Sequence, residues 1–147
     1  MDLVLRELTL DDVPILFEHQ RDPVANEMAV FPARDWDAFA AHDARIRSDP
    51  NLVRRTVCVD GTVVGWIGCF GEEQREVGYW FDRAVWGRGV ATAALGAFLD
   101  EVTERPLFAH VAVTNVGSAK VLERCGFVEV GRETGDIEEA VYRLAPA

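Results

Sequence analysis

The chain contains a single lysine, Lys120, among its 15 basic residues, and its 25 acidic residues give a net charge of −10 at pH 7. A P-loop nucleotide site needs a lysine and then serine or threonine after its second glycine, so the lone lysine, followed by Val121, excludes that motif. The acidic balance argues against nucleic acid as a partner, because phosphate backbones attract basic surfaces. It favours a cationic co-substrate such as an amine, although acidic surfaces often serve solubility alone.

Cysteines and long apolar runs are also scarce. Cys58, Cys69 and Cys125 are odd in number and fit no metal-binding spacing, so reduced thiols and no metal site are expected. No run approaches the roughly 18 apolar residues of a membrane helix, and residues 1–20 do not resemble a secretory signal. These absences predict a cytoplasmic protein that does not bind membranes. Its 147 residues, 49% of them hydrophobic, predict a single domain over residues 1–147.

The most informative segment is the glycine-rich run over residues 86–92, Trp-Gly-Arg-Gly-Val-Ala-Thr. It follows a strand-like aromatic run and precedes a small-residue run in which Ala91, Leu95 and Phe98 recur at helical spacing. A glycine-rich turn that opens a helix presents unpaired N–H groups beside the positive end of the helix dipole. The segment therefore predicts a phosphate site. Thr92 stands where a dinucleotide fingerprint needs a third small residue, which excludes that motif.

A second segment, residues 115–127, reads Asn-Val-Gly-Ser-Ala-Lys-Val-Leu-Glu-Arg-Cys-Gly-Phe. Asn115 is a natural helix N-cap, and Gly126 is a natural left-handed stop after the helix. These roles need no ligand. The two segments nevertheless occur together, in an order and at a spacing that a known protein family shares, which argues against a chance resemblance.

Both segments resemble motifs of the GNAT N-acetyltransferase superfamily. The first is similar to its pyrophosphate loop, Arg/Gln-x-x-Gly-x-Gly/Ala, with Gly89 and Ala91 at the small positions and Trp86 in place of the usual Arg or Gln. The second is similar to the family's Asn-x-x-Ser-x-x-Val-Leu-Glu-Lys-x-Gly-Phe. A Trp-Gly-Lys/Arg-Gly stretch is typical of the branch resembling ribosomal-protein N-terminal acetyltransferases.

The resemblance implies an α+β fold with about four helices and a mostly antiparallel central sheet of about six to seven strands, splayed between the fourth and fifth. The residue pattern agrees with this fold. A capping box at Thr9 predicts a helix to about Gln20, and a second helix is predicted over residues 36–46. Each of the two motif segments predicts one further helix. Asp60-Gly61 predicts a tight hairpin turn, whereas residues 24–33 and 131–139 are read as irregular. Strands are predicted over residues 3–8, 53–59, 62–70, 76–81, 107–113, 128–132 and 140–144.

The resemblance also implies acetyl-CoA as cosubstrate and direct transfer of its acetyl group to a primary amine, either a protein N-terminal amine or a small molecule. Many relatives protonate the departing thiolate with a tyrosine seven residues after the asparagine, where this chain has Leu122. A non-catalytic, CoA-binding regulatory module is therefore the alternative. The residues implied to bind the cofactor are Tyr79, Phe81, Arg83, Gly87, Arg88, Gly89, Val90, Ala91, Thr92, Asn115, Ser118 and Lys120.

An amine is mostly protonated at neutral pH, so the reaction needs a proton acceptor. The resemblance implies Glu76 for this role, while Ser118 is the nearest hydroxyl to the expected sulfur; His110 is read as either a titrating group or a satisfied core histidine. Members of the family often dimerise through their last strands, so the resemblance leaves open whether this chain forms a homodimer. The acceptor amine is expected to contact Glu27, Phe31, Trp36 and Trp66, of which Glu27 is also the second candidate base.

Overall fold

The computed structural model describes residues 1–146. Its strands are β1 (Leu3–Glu7), β2 (Val53–Val59), β3 (Thr62–Phe70), β4 (Glu76–Phe81), β5 (Leu107–Ala112), β6 (Val128–Thr134) and β7 (Glu138–Leu144). Its helices are α1 (Val13–Gln20), α2 (Pro23–Ala29), α3 (Trp36–Arg47), α4 (Val90–Glu101) and α5 (Val116–Arg124). Among the described residues, no helix is long and apolar enough to cross a membrane.

The strands form one seven-stranded sheet in the order β1-β2-β3-β4-β5-β7-β6. Five of the six neighbouring pairs are antiparallel, and β4 with β5 is the parallel one. The predicted α+β fold with a mostly antiparallel sheet is therefore confirmed. The hairpin between β2 and β3 turns at the predicted Asp60-Gly61, where both residues have positive φ angles of 50° and 83°.

Strands β4 and β5 touch at one end only. Glu76 is in register with Phe108, and the Phe108 amide donates to the Arg75 carbonyl at 2.9 Å. In the part of the chain that the structure describes, this is the whole of their ladder, so the two strands diverge beyond it as predicted. The divergence leaves backbone groups of β4 facing a gap within the sheet.

The core lies where α4 and α5 pack on the sheet. Leu95 and Phe98, at the predicted helical spacing on α4, are fully buried together with Ile67 of β3, Leu107 of β5 and Leu122 of α5. Each such side chain contributes about 1.5–3 kcal/mol to folding through removal of apolar surface from water. The helix that follows the glycine-rich turn is therefore fixed firmly against the sheet.

Asp12 anchors the start of α1 from a buried position. Its carboxylate accepts hydrogen bonds from Arg6 at 2.7 and 2.8 Å, from the Thr56 hydroxyl at 2.8 Å and from the Thr9 amide at 2.9 Å. The bonds from Arg6, above all, hold the pKa of Asp12 well below its usual range. The ionised carboxylate thus joins β1, β2 and the first turn before α1.

Two segments differ from their predicted structure. Residues 24–33 include α2, which starts at Pro23 and is capped by Asp22, whose side chain accepts from the Val24 amide at 3.0 Å. Asp22-Pro23 follows the predicted end of the first helix near Gln20, but aspartate followed by proline is also a helix start, with proline at the first position. Residues 131–139, read as a loop, form most of the β6–β7 hairpin. All residues of the edge strand β6 are exposed, so no apolar alternation marked it.

Candidate active site

Helix α4 begins with a row of free backbone amides. Its first backbone hydrogen bond to the preceding turn runs from the Ala93 amide to the Gly89 carbonyl at 3.0 Å. Across residues 1–146, no hydrogen bond is donated by the amides of residues 87–92. Gly87 and Gly89 have φ angles of 74° and 77°, and a Cβ added to either would meet no protein atom within 4 Å. Backbone conformation therefore accounts for both glycines without any crowding within the protein.

A cavity of about 540 Å³ opens beside these amides, between β4 and α5. Arg83 and Arg88, predicted to bind the cofactor, do not line it. Arg83 instead pairs through Nε with Asp22 at 3.0 Å, and Arg88 is exposed. The predicted cofactor residues that do line the cavity are Tyr79, Phe81, Gly87, Gly89, Val90, Ala91, Thr92, Asn115, Ser118 and Lys120. Arg124 adds a second cation to its wall.

Helix α5 presents its first turn to the same cavity. The Asn115 side chain accepts from the Ser118 amide at 3.2 Å, which is the predicted N-cap. At the other end, Gly126 has a φ angle of 94°, and the Phe127 amide donates to the Leu122 carbonyl at 3.0 Å. Both predicted helix ends are confirmed, and they fix Ser118 at the mouth of the gap.

A second cavity of about 540 Å³ lies on the opposite side of that gap. The two cavities share lining residues and so adjoin each other. The wall of the second cavity combines aliphatic side chains with the rings of Phe31, Phe39, Trp66, Phe70 and Trp80. The residues common to both cavities are Ala29, Tyr79, Trp80, Asn115 and Ser118.

Tyr79 and Ser118 meet at this junction. The Tyr79 Oη atom lies 2.8 Å from the Ser118 Oγ atom, and either hydroxyl can donate. Burial raises the pKa of Tyr79 to about 12, so its hydroxyl keeps its proton at neutral pH. Sequence reasoning assigned Tyr79 to cofactor binding and missed its pairing with Ser118. The residues come from β4 and α5 and are 39 positions apart.

The carboxylate of Glu76, the predicted proton acceptor, is paired with a histidine. His110 Nδ1 on β5 donates to Glu76 Oε1, and His110 Nε2 lies 3.2 Å from Glu133 Oε2 on β6. Each ring nitrogen thus faces a carboxylate, and both can donate only when the imidazole is protonated. The side chains of Glu76 and His110 remain 25% and 21% exposed, and His110 lines the second cavity. This pair is therefore open to a molecule bound there.

The predicted acceptor residues divide into two groups. Phe31 and Trp66 line the second cavity, whereas Trp36 and Glu27 line neither cavity. Trp36 packs edge-on against Phe17 with ring centroids 5.3 Å apart, and Glu27 is exposed on α2. Of the two candidates in residues 24–33, Phe31 therefore lines the second cavity and Glu27 lies outside both.

Comparison with known proteins assigns this arrangement to a family. Residues 2–128 match the family model described as "Acetyltransferase (GNAT) domain". The chain belongs to the GNAT acetyltransferases. A search of curated proteins gave no significant match.

Solved structures share the fold. A spermidine N-acetyltransferase chimera from Vibrio cholerae and hSSAT aligns over 99% of this chain and 96% of its own, with 19% identity and a TM-score of 0.82. The Vibrio cholerae spermidine N-acetyltransferase in complex with CoA and spermine covers 96% and 92%, with 20% identity and a TM-score of 0.78.

An aminoglycoside acetyltransferase, AAC(6')-Ib, in complex with coenzyme A covers 98% of this chain and 95% of its own, with 14% identity and a TM-score of 0.81. At such identities these likenesses show the fold alone. They do not single out the ribosomal-protein branch suggested by the Trp-Gly-Arg-Gly stretch.

Proposed function

We propose that this chain transfers the acetyl group of acetyl-CoA to the nitrogen of a primary amine. The observation that carries the proposal is the junction of two cavities of similar volume in the gap between β4 and β5. One cavity ends at free helix-start amides, and the other at a carboxylate–imidazole pair. The CoA complexes among the structural neighbours support acetyl-CoA as the cosubstrate.

The first cavity fits the cofactor. The amides of residues 87–92, at the positive end of α4, are suited to hold its diphosphate. Lys120 and Arg124 add positive charge on the facing wall. The open edge of β4 offers backbone donors and acceptors to the amide groups of the pantetheine arm, as when a peptide extends a sheet.

Glu76 and His110 are suited to accept the proton of the attacking amine, directly or through one water. Both belong to strands that border the gap, and His110 lines the acceptor cavity. Their hydrogen bond holds the imidazole in a fixed orientation. A positioned acid–base pair of this kind typically accelerates a reaction by about 10²–10⁴-fold.

Ser118 and Tyr79 are suited to stabilise the departing sulfur, in place of the tyrosine that Leu122 replaces. Ser118 donates to the developing thiolate while it accepts from Tyr79, so two hydroxyls share the charge. A tyrosine with a pKa of about 12 is too weak an acid to protonate a thiolate of pKa about 8.5, so it acts by hydrogen bonding. The proton released by the amine leaves through Glu76 and His110 and returns to the thiol from solvent.

Thiol release from acetyl-CoA, measured over a panel of amines, tests the proposal. Tyr79→Phe and Ser118→Ala should each lower kcat about tenfold, the value of one hydrogen bond to a charged group, with little change in CoA affinity. Tyr142→Phe is the matched control, because Tyr142 is the chain's other tyrosine, is buried, and lines neither cavity. Tight CoA binding without thiol release for any amine would instead support the regulatory module.

A further inference from the structure

Two glycines face each other in the middle of the sheet. Gly68 of β3 is in register with Gly78 of β4, and Gly78 lines the acceptor cavity. A Cβ added to Gly78 would lie 3.2 Å from the Phe70 Cε1 atom and 3.7 Å from the Trp66 Cη2 atom. One added to Gly68 would lie 3.2 Å from the Val53 carbonyl oxygen and 3.4 Å from the Trp66 Cζ3 atom. Neither glycine has a positive φ angle, so close packing accounts for both, and it lets the two rings lie close to the sheet.

The rings beside this glycine pair form an apolar floor that solvent reaches. Phe70 is 37% exposed, and Trp66 is partly exposed. Phe31, also 37% exposed, continues the surface, since its ring centroid lies 5.9 Å from that of Trp80, the register partner of Trp66. All four rings line the acceptor cavity. Apolar surface that is left in water favours a bound molecule that covers it.

The ring floor begins beside the proposed proton acceptor. Phe70 is the register partner of Glu76, so the two side chains project from the same face of the sheet, with Cβ atoms about 5 Å apart. Gly78 and Trp80 follow Glu76 along β4 on that face, about 7 and 13 Å further on. An acceptor whose amine lies at Glu76 therefore extends the rest of its molecule over the rings.

Negative charge is concentrated at the Glu76 end of the floor. Glu76 Oε1 and Glu133 Oε2 face the two ring nitrogens of His110. Glu139, which lines the cavity, is in register with Glu133 on the neighbouring strand. An ammonium group is therefore attracted to the place where its nitrogen must react.

Beyond the rings, the charged groups do not favour a second ammonium group. Asp43 lines the cavity, but its Oδ1 atom lies 2.7 Å from Arg54 Nη1 and its Oδ2 atom accepts from Arg47. Past Trp80, the Arg34 guanidinium carbon lies 5.2 Å from the centroid of the Phe31 ring. A second ammonium carried over the floor would approach these guanidiniums and meet repulsion from like charge.

We propose that the acceptor is a monoamine in which a short chain carries a flat apolar ring. The amine lies at Glu76 and His110, and the ring lies on the floor formed by Trp66, Phe70 and Gly78. The proposal rests on the proposed acetyl transfer and specifies its substrate class. Gly78 is then a specificity-determining residue, because a side chain there would push the Phe70 ring into the space that the acceptor needs.

Matched amines test the proposal. Thiol release from acetyl-CoA is measured with phenethylamine and tryptamine, with propylamine, which lacks the ring, and with spermidine, which carries several amines. The native protein should show kcat/KM for the better ring amine about tenfold or more above the values for propylamine and spermidine, because only the ring buries the exposed floor.

Two substitutions in the floor should reduce this preference by different routes. Gly78→Ala should lower kcat/KM for the ring amines about tenfold, mainly through KM, with little change for propylamine. Phe70→Leu keeps an apolar side chain at an exposed position but removes the ring, and it should remove most of the preference. Gly96→Ala is the matched control, because Gly96 lies on α4 outside both cavities and an added Cβ would meet no neighbouring element within 4 Å.

The possible results separate the substrate class from the reaction. A preference for spermidine, equal kcat/KM with and without the ring, or a ring preference unchanged in both floor variants would overturn the substrate class, while acetyl transfer would stand. Thiol release with none of the compounds would instead count against acetyl transfer itself. A thermal unfolding curve and the CoA affinity of each variant establish that it is folded and that its cofactor cavity is intact.

Discussion

The two cavities of this protein have the same volume and opposite construction. The cofactor cavity is built around backbone, with consecutive amides of residues 87–92 and two glycines in the left-handed region. The acceptor cavity is built from side chains, with aliphatic residues of α1, a ring and other residues of α3, and residues of strands on both sides of the gap. The first surface depends on backbone conformation, and the second depends on the identity of individual side chains.

The difference shows in how far apart the contributing residues lie. The amide row and its glycines occupy six consecutive positions, whereas Glu76 and His110 are 34 residues apart. A backbone site tolerates most side-chain substitutions, unless one changes the local conformation or blocks the amides. A side-chain site can change its ligand through single substitutions that leave the fold in place.

A charge at the amide row should give the largest effect. Ala91→Glu places a carboxylate in the first turn of α4, inside the cofactor cavity, where it would occupy and repel the anion site. Binding of CoA, followed by calorimetry, should be abolished. Ala97→Glu is the control, since Ala97 is half-buried on the same helix outside both cavities. Unchanged CoA affinity in a folded Ala91→Glu variant would contradict the assignment of this cavity.

The next largest effect is expected for a substitution beside the acceptor cavity that leaves the cofactor cavity unchanged. Glu76→Gln keeps the shape of the side chain but removes its charge beside His110. We expect kcat/KM for the amine to fall about 100-fold, with CoA affinity unchanged. Glu133→Gln should have a much smaller effect, because Glu133 also contacts His110 but is 65% exposed. Equal losses in the two variants would argue against Glu76 as proton acceptor.

Asp12→Asn should lower the stability of the protein. Asp12 lies at the start of α1, which lines the acceptor cavity and not the cofactor cavity. Loss of a buried carboxylate that accepts four hydrogen bonds should cost about 3 kcal/mol of unfolding free energy at pH 7, measured by urea titration. The pKa of Asp12 is depressed in the folded state, so its stabilisation is complete above the unfolded value of about 3.9 and is lost as pH falls through the folded value.

The difference in unfolding free energy between the native protein and Asp12→Asn should therefore become smaller as the pH falls below about 4. CoA affinity of the variant, measured well below its melting temperature, should match the native value. A difference in unfolding free energy that stays constant down to low pH would mean that Asp12 stabilises the fold by its shape and not by its charge.

The sequence could predict those features that neighbouring residues determine. Alternating strands, the Asp60-Gly61 turn and the caps Asn115 and Gly126 depend on local conformation, and all appear in the structure. Helix α2 was missed because Asp22-Pro23 can either end or start a helix, and packing decides which. The edge strand β6 was shortened because exposure on both faces removes the apolar alternation that marks a strand.

The same distinction applies to the candidate site. The glycine pattern predicts the row of free amides, but no local sequence pattern predicts that Tyr79 contacts Ser118 or that Arg34 lines a cavity. Those contacts depend on the sheet order and on where β4 and β5 diverge. Arg83 was assigned to the cofactor by proximity in sequence, yet Asp22 holds it at 3.0 Å.

The single register pair between β4 and β5 has a thermodynamic consequence. A sheet interrupted in its middle keeps unpaired backbone groups that only water or a visiting chain can satisfy. The cosubstrate would act as a temporary eighth strand, and occupancy would seal the interruption. Amide protons on the facing edges should then exchange with deuterium more slowly when CoA is present, whereas those of the hairpin β6–β7 should keep their rates.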